Sequence, residues 1–128
     1  MIRVVACVLS HADSCFIAKR SQGHFSGFWE FPGGKIEPGE NSLQALSREL
    51  FEELSIEVVE FYHLLSYGYA YPNVNVDLEF YLSEVSNQQQ LQSQVHSEAK
   101  WVTLVDLHKY KFLESNVPII DFLIRGTS

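Results

Sequence analysis

Cysteine, positive charge and long apolar runs are all scarce in this sequence, and each scarcity excludes something. Only two cysteines occur, Cys7 and Cys15, both in apolar stretches near the start, so neither a disulfide framework nor a zinc-ligand spacing is indicated. They read as small buried hydrophobes in a reducing compartment. Lys and Arg number nine against 16 Asp and Glu, for a net charge of -7. Nucleic-acid polymers and anionic membranes favour basic patches, so neither is expected as a partner. A small anion bridged by metal remains compatible with that charge. No run approaches the roughly 20 apolar residues of a membrane span. The short apolar run after Arg3 ends at Ser10-His11-Ala12-Asp13 without a cleavage site, so no signal peptide is expected and the reading is cytoplasmic.

What is present suits one domain. With 128 residues, 46% of them hydrophobic, the chain can bury its own core, and a single domain over 1–128 is expected. The Val-rich run Ile2 to Leu9 reads as a strand buried on both faces. A turn over Ser10 to Ser14 and a second strand at Cys15 to Ala18 complete a hairpin. Ser21 to Gly27 is polar and glycine-bearing, hence a surface loop. Ile56 to Leu65 and Tyr67 to Tyr71 read as one long bent strand or two short ones, with a turn at Tyr71-Pro72-Asn73-Val74-Asn75 and a return strand from Val76 to Val85.

The Gln- and Ser-rich Ser86 to Ser97 reads as an exposed connection. A short strand follows at Ala99 to Leu104, then a helical turn at Val105 to Tyr110. Asn116 as cap and Pro118 in the first turn start a C-terminal helix to Ile124. His24, His63, His96 and His108 share no ligand spacing, and surface or loop positions are expected for them. Strands before, between and after two helices predict an α/β (α+β) fold with a mixed β-sheet covered by helices on its faces.

The chemistry concentrates between Phe31 and Ile56. After the Pro38-Gly39 turn, Asn41 with Gln44 three residues on has the pattern of an N-cap and its capping-box partner. Leu43, Leu46, Leu50 and Leu54 then make an apolar stripe, while Glu49, Glu52 and Glu53 fall at i, i+3 and i+4 on another face. Like charges at that spacing repel by a few tenths of a kcal/mol per pair. A divalent cation would reverse the sign.

Written as spacing, the stretch is Gly34, five residues, Glu40, seven residues, Arg48-Glu49-Leu50, one residue, Glu52-Glu53, one residue, Ser55-Ile56. It resembles the Nudix box, G-x5-E-x7-R-E-U-x-E-E-x-G-U, at every defined position except Ser55, where the family has a glycine in the left-handed region at the helix end. The resemblance implies a Nudix-type α/β/α sandwich and hydrolysis of a phosphoanhydride. Hard Mg²⁺, with Mn²⁺ as substitute, suits that chemistry because oxygen ligands hold it and it neutralises phosphoryl charge. By resemblance Glu49, Glu52 and Glu53 are metal ligands together with the backbone carbonyl of Gly33. Glu53 is foremost as ligand, Glu49 is a ligand and candidate base, and the choice of base stays open. Arg48 and Glu40 belong to the box, Arg48 orienting the carboxylates through charge-assisted hydrogen bonds.

Flanking features resemble the MutT type, pyrophosphohydrolases acting on oxidised guanine nucleotides. These are Lys19-Arg20, the run from Glu30 through Phe31, Pro32, Gly33, Gly34 and Lys35 to Glu37, Tyr71-Pro72-Asn73, and Asn116 before Pro118. They imply a purine edge read by Asn116 and the Phe31 backbone, a base walled by Tyr71, and contacts to the rest of the substrate from Arg20 and Lys35. An ordinary N-cap remains the competing reading of Asn116, sheet packing of Tyr71 and a plain surface position of Arg20. Glu98 is the candidate for a further metal ligand from a loop before the last strand, against an exposed loop residue. Lys100 competes for the same place, which would leave that ligand missing.

The implied activity is Mg²⁺-dependent conversion of a nucleoside triphosphate, 8-oxo-dGTP foremost, to monophosphate and pyrophosphate, by a monomer or small homo-oligomer. A cytidine-type or nucleoside diphosphate sugar substrate is the alternative within the family. A nucleotide-sensing module without turnover would be marked by loss of a box carboxylate, and none is lost.

Overall fold

The structure, a computed structural model, describes residues 1–58, 60–86 and 96–126. The expected connection Ser86 to Ser97 therefore lies outside the described residues apart from its ends. The chain packs as two compact units, residues 1–8 with 32–83 and residues 9–31 with 84–128.

In the first unit, strand β1 (Ile2–His11) begins the chain, and Val5 to Ser10 are buried without alternation, as a strand covered on both faces requires. The short β4 (Gly33–Lys35) pairs antiparallel with it, Val5 opposite Gly34. β5 (Tyr62–Tyr71) and β6 (Val74–Glu84) form one long antiparallel hairpin whose register shifts between His63 and Leu65. One strand thus replaces the two-strand alternative, and it begins at Tyr62 rather than Ile56, a correction to the expected start. The return strand starts at Val74 rather than Val76 because its pairing with Tyr71 closes the hairpin directly over Pro72-Asn73.

Helix α1 (Ser42–Leu54) starts as its sequence dictates. The Asn41 side chain accepts from Gln44 N at 2.8 Å, and Gln44 Oε1 accepts from Asn41 N at 2.9 Å, so two otherwise orphaned N–H groups are satisfied reciprocally. The helix ends at Ser55 in the left-handed region, φ 57° and ψ 35°. The buried stripe is Ala45, Leu46, Leu50 and Leu54, whereas Leu43 is 42% exposed. Leu43 is a correction to the expected stripe: in the first turn the inward direction falls on Ala45, and periodicity alone does not locate the stripe's edge.

In the second unit, the end of β1 turns through Ala12-Asp13 into β2 (Ser14–Arg20), His11 opposite Ser14. Ala12 takes a positive φ of 54° there. On one side β2 pairs along its whole length with β7 (His96–Thr103), and on the other Ala18 and Lys19 pair with β3 (Trp29–Glu30). β7 begins at His96, three residues ahead of the expected strand, because β2 continues to Arg20 and supplies it with partners. A 3₁₀ helix follows over Leu104–Lys109 and a short one over Glu114–Asn116, then α2 (Val117–Arg125) with Pro118 in its first turn.

Phe16 meets Trp101 edge to face at 5.6 Å in this core, and Ile119, Ile120 and Leu123 turn the apolar face of α2 inward. Both cysteines are buried free thiols, as expected; burial pushes the Cys7 thiol far up and that of Cys15 up to about 12, which makes them inert. No helix among the described residues is long and apolar enough to cross a membrane.

Candidate active site

The first unit carries the box. Arg48 stands at the centre of its polar face and is hydrogen-bonded on every side. Nε and Nη2 grip Glu40 at 2.7 and 3.0 Å, Nη1 reaches Glu49 at 2.8 Å and Glu52 at 3.3 Å, and Nη2 also donates to the Lys35 carbonyl at 3.0 Å. The bidentate fork onto Glu40 is the strong geometry for a guanidinium and a carboxylate. The hydrogen bond from Arg48 holds the Glu40 carboxyl below the usual range, and the same contact with Glu40 raises the guanidinium. Glu40 also accepts from Glu37 N at 2.9 Å, tying the Pro38-Gly39 turn to the helix.

Glu49, Glu52 and Glu53 share a face of α1 but differ in exposure. Glu52 is open to solvent, Glu49 is largely covered, and Glu53 has its Oε2 fully buried. Glu49 lies directly against Gly34: a Cβ on that glycine would stand 2.5 to 2.7 Å from the Glu49 carboxylate. Gly33 has φ 156°, and its Cα faces the β1 backbone at Val5 so closely that no side chain would fit. The three acids are not drawn into one coordination sphere. Among the described residues no group of three or more His, Cys, Asp or Glu is gathered tightly enough to hold an ion. Arg48 holds Glu49 and Glu52 toward itself.

The donor chemistry nevertheless fits a hard cation. Every donor on this face is an oxygen, one carboxylate oxygen is already desolvated on Glu53, and the Glu49 carboxylate fills a cradle that only a glycine at 34 leaves open. Residues at i, i+3 and i+4 on one helix are neighbours, so side-chain rotation alone brings their oxygens together. Lys35 ends β4 with its side chain exposed, and Tyr71 ends β5 with its ring 4.7 Å from that of Tyr69.

The second unit holds the remaining candidates. Phe31 is buried and stacked on Phe112 at 5.3 Å. Asn116 is 5% exposed and occupies the N-cap position of α2, yet its side chain makes no capping bond; its Nδ2 points at Ser115 Oγ, 3.4 Å away. Plain capping therefore does not explain this asparagine, because the preceding 3₁₀ turn leaves it in helical backbone, φ −92° and ψ −2°, where the cap geometry is lost. Glu98 is a strand residue rather than a loop residue, a correction to the expected position, and Lys19 at 3.5 Å and Lys100 at 3.7 Å flank its carboxylate.

Arg20 donates from Nε to Glu30 Oε1 at 3.0 Å, so it is not a plain surface arginine. His96 is the residue that sequence reasoning misplaced. Its side chain is 3% exposed and its Nε2 bonds Glu30 Oε2 at 2.9 Å. No local pattern announces it, since its partner lies 66 residues away and the two meet only through β2.

A mixed sheet with two helices, and a carboxylate-rich helix face clamped by one arginine and backed by glycines, suit a class of protein that hydrolyses phosphoanhydrides. The comparisons with known proteins agree. A family model described as the NUDIX domain matches residues 1–123. The 8-oxo-dGTP diphosphatase of Escherichia coli is 33% identical over 122 residues, covering 94% of each chain. The CTP pyrophosphohydrolase of the same organism is 30% identical over 123 residues, covering 94% of this chain and 90% of its own. Among solved structures, one from a study of MutT from Aliivibrio salmonicida and Vibrio cholerae is 35% identical, covers 98% of both chains and has a TM-score of 0.79. The chain belongs to the Nudix family. It is a MutT-like Nudix hydrolase acting on phosphoanhydride bonds, with the α/β fold of that group.

Proposed function

We propose that the chain is a Mg²⁺-dependent nucleoside triphosphate pyrophosphohydrolase that converts oxidised purine nucleotides, 8-oxo-dGTP foremost, to the monophosphate and pyrophosphate. One observation carries the reading: the box helix keeps all its carboxylates, with a buried oxygen on Glu53 and the Glu49 carboxylate lodged against Gly34. The similarity to an 8-oxo-dGTP diphosphatase along nearly the full chain supports it.

The Gly33 carbonyl, Glu49, Glu52 and Glu53 would hold Mg²⁺, or Mn²⁺ in its place. Bound there, the ion supplies charge neutralisation on the phosphoryl oxygens and acidifies water. The chain's own residues do the rest. Arg48 holds Glu40 and restrains Glu49 and Glu52, so these carboxylates start from fixed positions. Glu49 is the candidate to take the proton of the attacking water, being covered and next to Glu53 on the helix face. Arg20 and Lys35 contact the phosphate chain. The Asn116 amide carries both a donor and an acceptor, which suits a purine edge. Oxidised guanine presents an N7–H donor where guanine presents an acceptor, so a positioned amide oxygen favours the oxidised base. The Phe31 backbone and the Tyr71 ring complete the base contacts.

A cytidine nucleotide is the second reading, favoured by the 30% identity with a CTP pyrophosphohydrolase over most of both chains. The test is release of pyrophosphate and monophosphate across a panel of 8-oxo-dGTP, dGTP, CTP and dCTP, with Mg²⁺ titrated. Preference for 8-oxo-dGTP over dGTP is expected, and its absence would sink the first reading. Asn116→Ala is expected to lower that preference more than it lowers turnover of dGTP. Unchanged selectivity would leave Asn116 a packing residue.

A further inference from the structure

We propose that His96 is a positioning residue for substrate binding, acting through Glu30 to hold the Arg20 guanidinium ready for a phosphate group of the nucleotide. This rests on the reading of Arg20 as a phosphate contact. The three residues come from three paired strands, β7, β3 and β2, and backbone pairing sets where each side chain starts: Arg20 lies opposite His96, and Ala18 opposite Glu30. Arg20 N also donates to the Phe28 carbonyl and Gly27 N to the Arg20 carbonyl, both at 2.9 Å, which closes the 21–28 loop onto the same point.

The Glu30 carboxylate is shared evenly. Oε1 accepts from Arg20 Nε at 3.0 Å, and Oε2 accepts from His96 Nε2 at 2.9 Å. A carboxylate can only accept, so Nε2 of the imidazole carries the hydrogen. Burial grades outward along the chain of contacts, with side-chain exposures of 3% for His96, 19% for Glu30 and 40% for Arg20. The buried end is thus rigid and the charged end is open.

An exposed Arg–Glu pair alone is worth little and leaves both side chains free to swing. A second, buried donor on the other oxygen fixes the plane of the carboxylate, and with it the direction of the guanidinium. Glu30 engages Arg20 through Nε, and the planar fork of the Nη groups suits phosphate oxygens. Burying an imidazole is unfavourable unless it is hydrogen-bonded. An orienting role gives that burial a function that ordinary packing by an apolar residue would not supply.

The test uses the full chain and measures binding of inorganic tripolyphosphate with Mg²⁺ by calorimetry, alongside KM and kcat for the best nucleotide of the panel. Arg20→Ala is expected to weaken tripolyphosphate binding about tenfold, in line with loss of a charge-assisted bond. His96→Leu is expected to weaken it about fivefold, raising KM more than it lowers kcat. The double variant should bind no more weakly than Arg20→Ala alone, and His96→Gln, which keeps an N–H, should recover most of the loss.

Unchanged binding in Arg20→Ala would remove the phosphate role of Arg20 and the inference with it. A tenfold loss in Arg20→Ala beside wild-type binding in His96→Leu would overturn the inference alone, and so would losses that multiply in the double variant. If His96→Leu does not fold, Glu30→Gln, alone and combined with Arg20→Ala, asks the same question, because glutamine keeps the side-chain volume while weakening both contacts.

Discussion

Ser55 is the one residue that departs from the Nudix box, and its conformation makes a quantitative prediction. It closes α1 at φ 57° and ψ 35°, its N–H bonded to the Phe51 carbonyl at 2.9 Å. A left-handed conformation costs an L-residue with a Cβ roughly 1–2 kcal/mol. Glycine escapes that cost but gives up about 0.5–1 kcal/mol of extra chain entropy on folding. The side chain of Ser55 is exposed, so its removal sacrifices no packing. Ser55→Gly should therefore stabilise the fold by about 0.5–1 kcal/mol. For a chain of 128 residues the unfolding entropy near the midpoint is about 0.27 kcal/mol/K, which makes the rise in Tm about 2–4 °C. Thermal melts of the two proteins in one buffer measure it, with Ser55→Ala as control, for which a change below about 1 °C is expected because alanine keeps the Cβ. A Tm for Ser55→Gly equal to or below that of the parent would refute the account of strain at the helix end.

Other perturbations read other parts of the molecule. Glu53→Gln keeps size but loses charge and should reduce kcat by about a hundredfold or more while the fold survives; near-normal turnover would remove Glu53 from the metal site. Gly34→Ala puts a methyl 2.5 to 2.7 Å from the Glu49 carboxylate. Since that carboxylate is the end of a flexible side chain, Tm should hardly change while the Mg²⁺ concentration for half-maximal activity rises, and an unaltered Mg²⁺ dependence would contradict the cradle. Stability should also fall in acid through Glu79. Burial raises its carboxyl, but hydrogen bonds from Ser42 at 2.6 Å, Tyr81 at 3.0 Å and Arg3 at 3.3 Å outweigh it and leave the pKa below the usual range. A depressed folded-state pKa means stability is present above the unfolded value of about 4.3 and is lost as pH falls through the folded one. Melts of wild type and Glu79→Gln between pH 7 and 3 should therefore converge toward acid, and parallel curves would refute the linkage.

How much was legible depended on the range of the interaction. The Asn41–Gln44 capping box and the left-handed Ser55 involve groups within four residues of each other, and both are found where the pattern placed them. Strands β3 and β4, two and three residues long, escaped notice because their existence depends on pairing with β2 and β1 rather than on any periodicity of their own. Asn116 shows the opposite error. Its N-cap signal is local and sound, but the 3₁₀ turn before α2 overrides it.

By itself, then, the amino-acid sequence determined the family, the capped helix with its apolar stripe and its set of acids, since these depend on spacing along one continuous segment. Only the tertiary structure decided how those acids are held. Arg48 holds Glu49 and Glu52 toward itself, Gly34 makes the room that Glu49 uses, and Glu98 is balanced between two lysines. It also decided that His96, expected at the surface, is buried on Glu30. The helix acids are held by contacts of α1 with itself and with β4, whereas His96 meets Glu30 through strand pairing. A side chain's partner across a sheet is set by strand register, and register is a property of the assembled chain that no short window of residues contains.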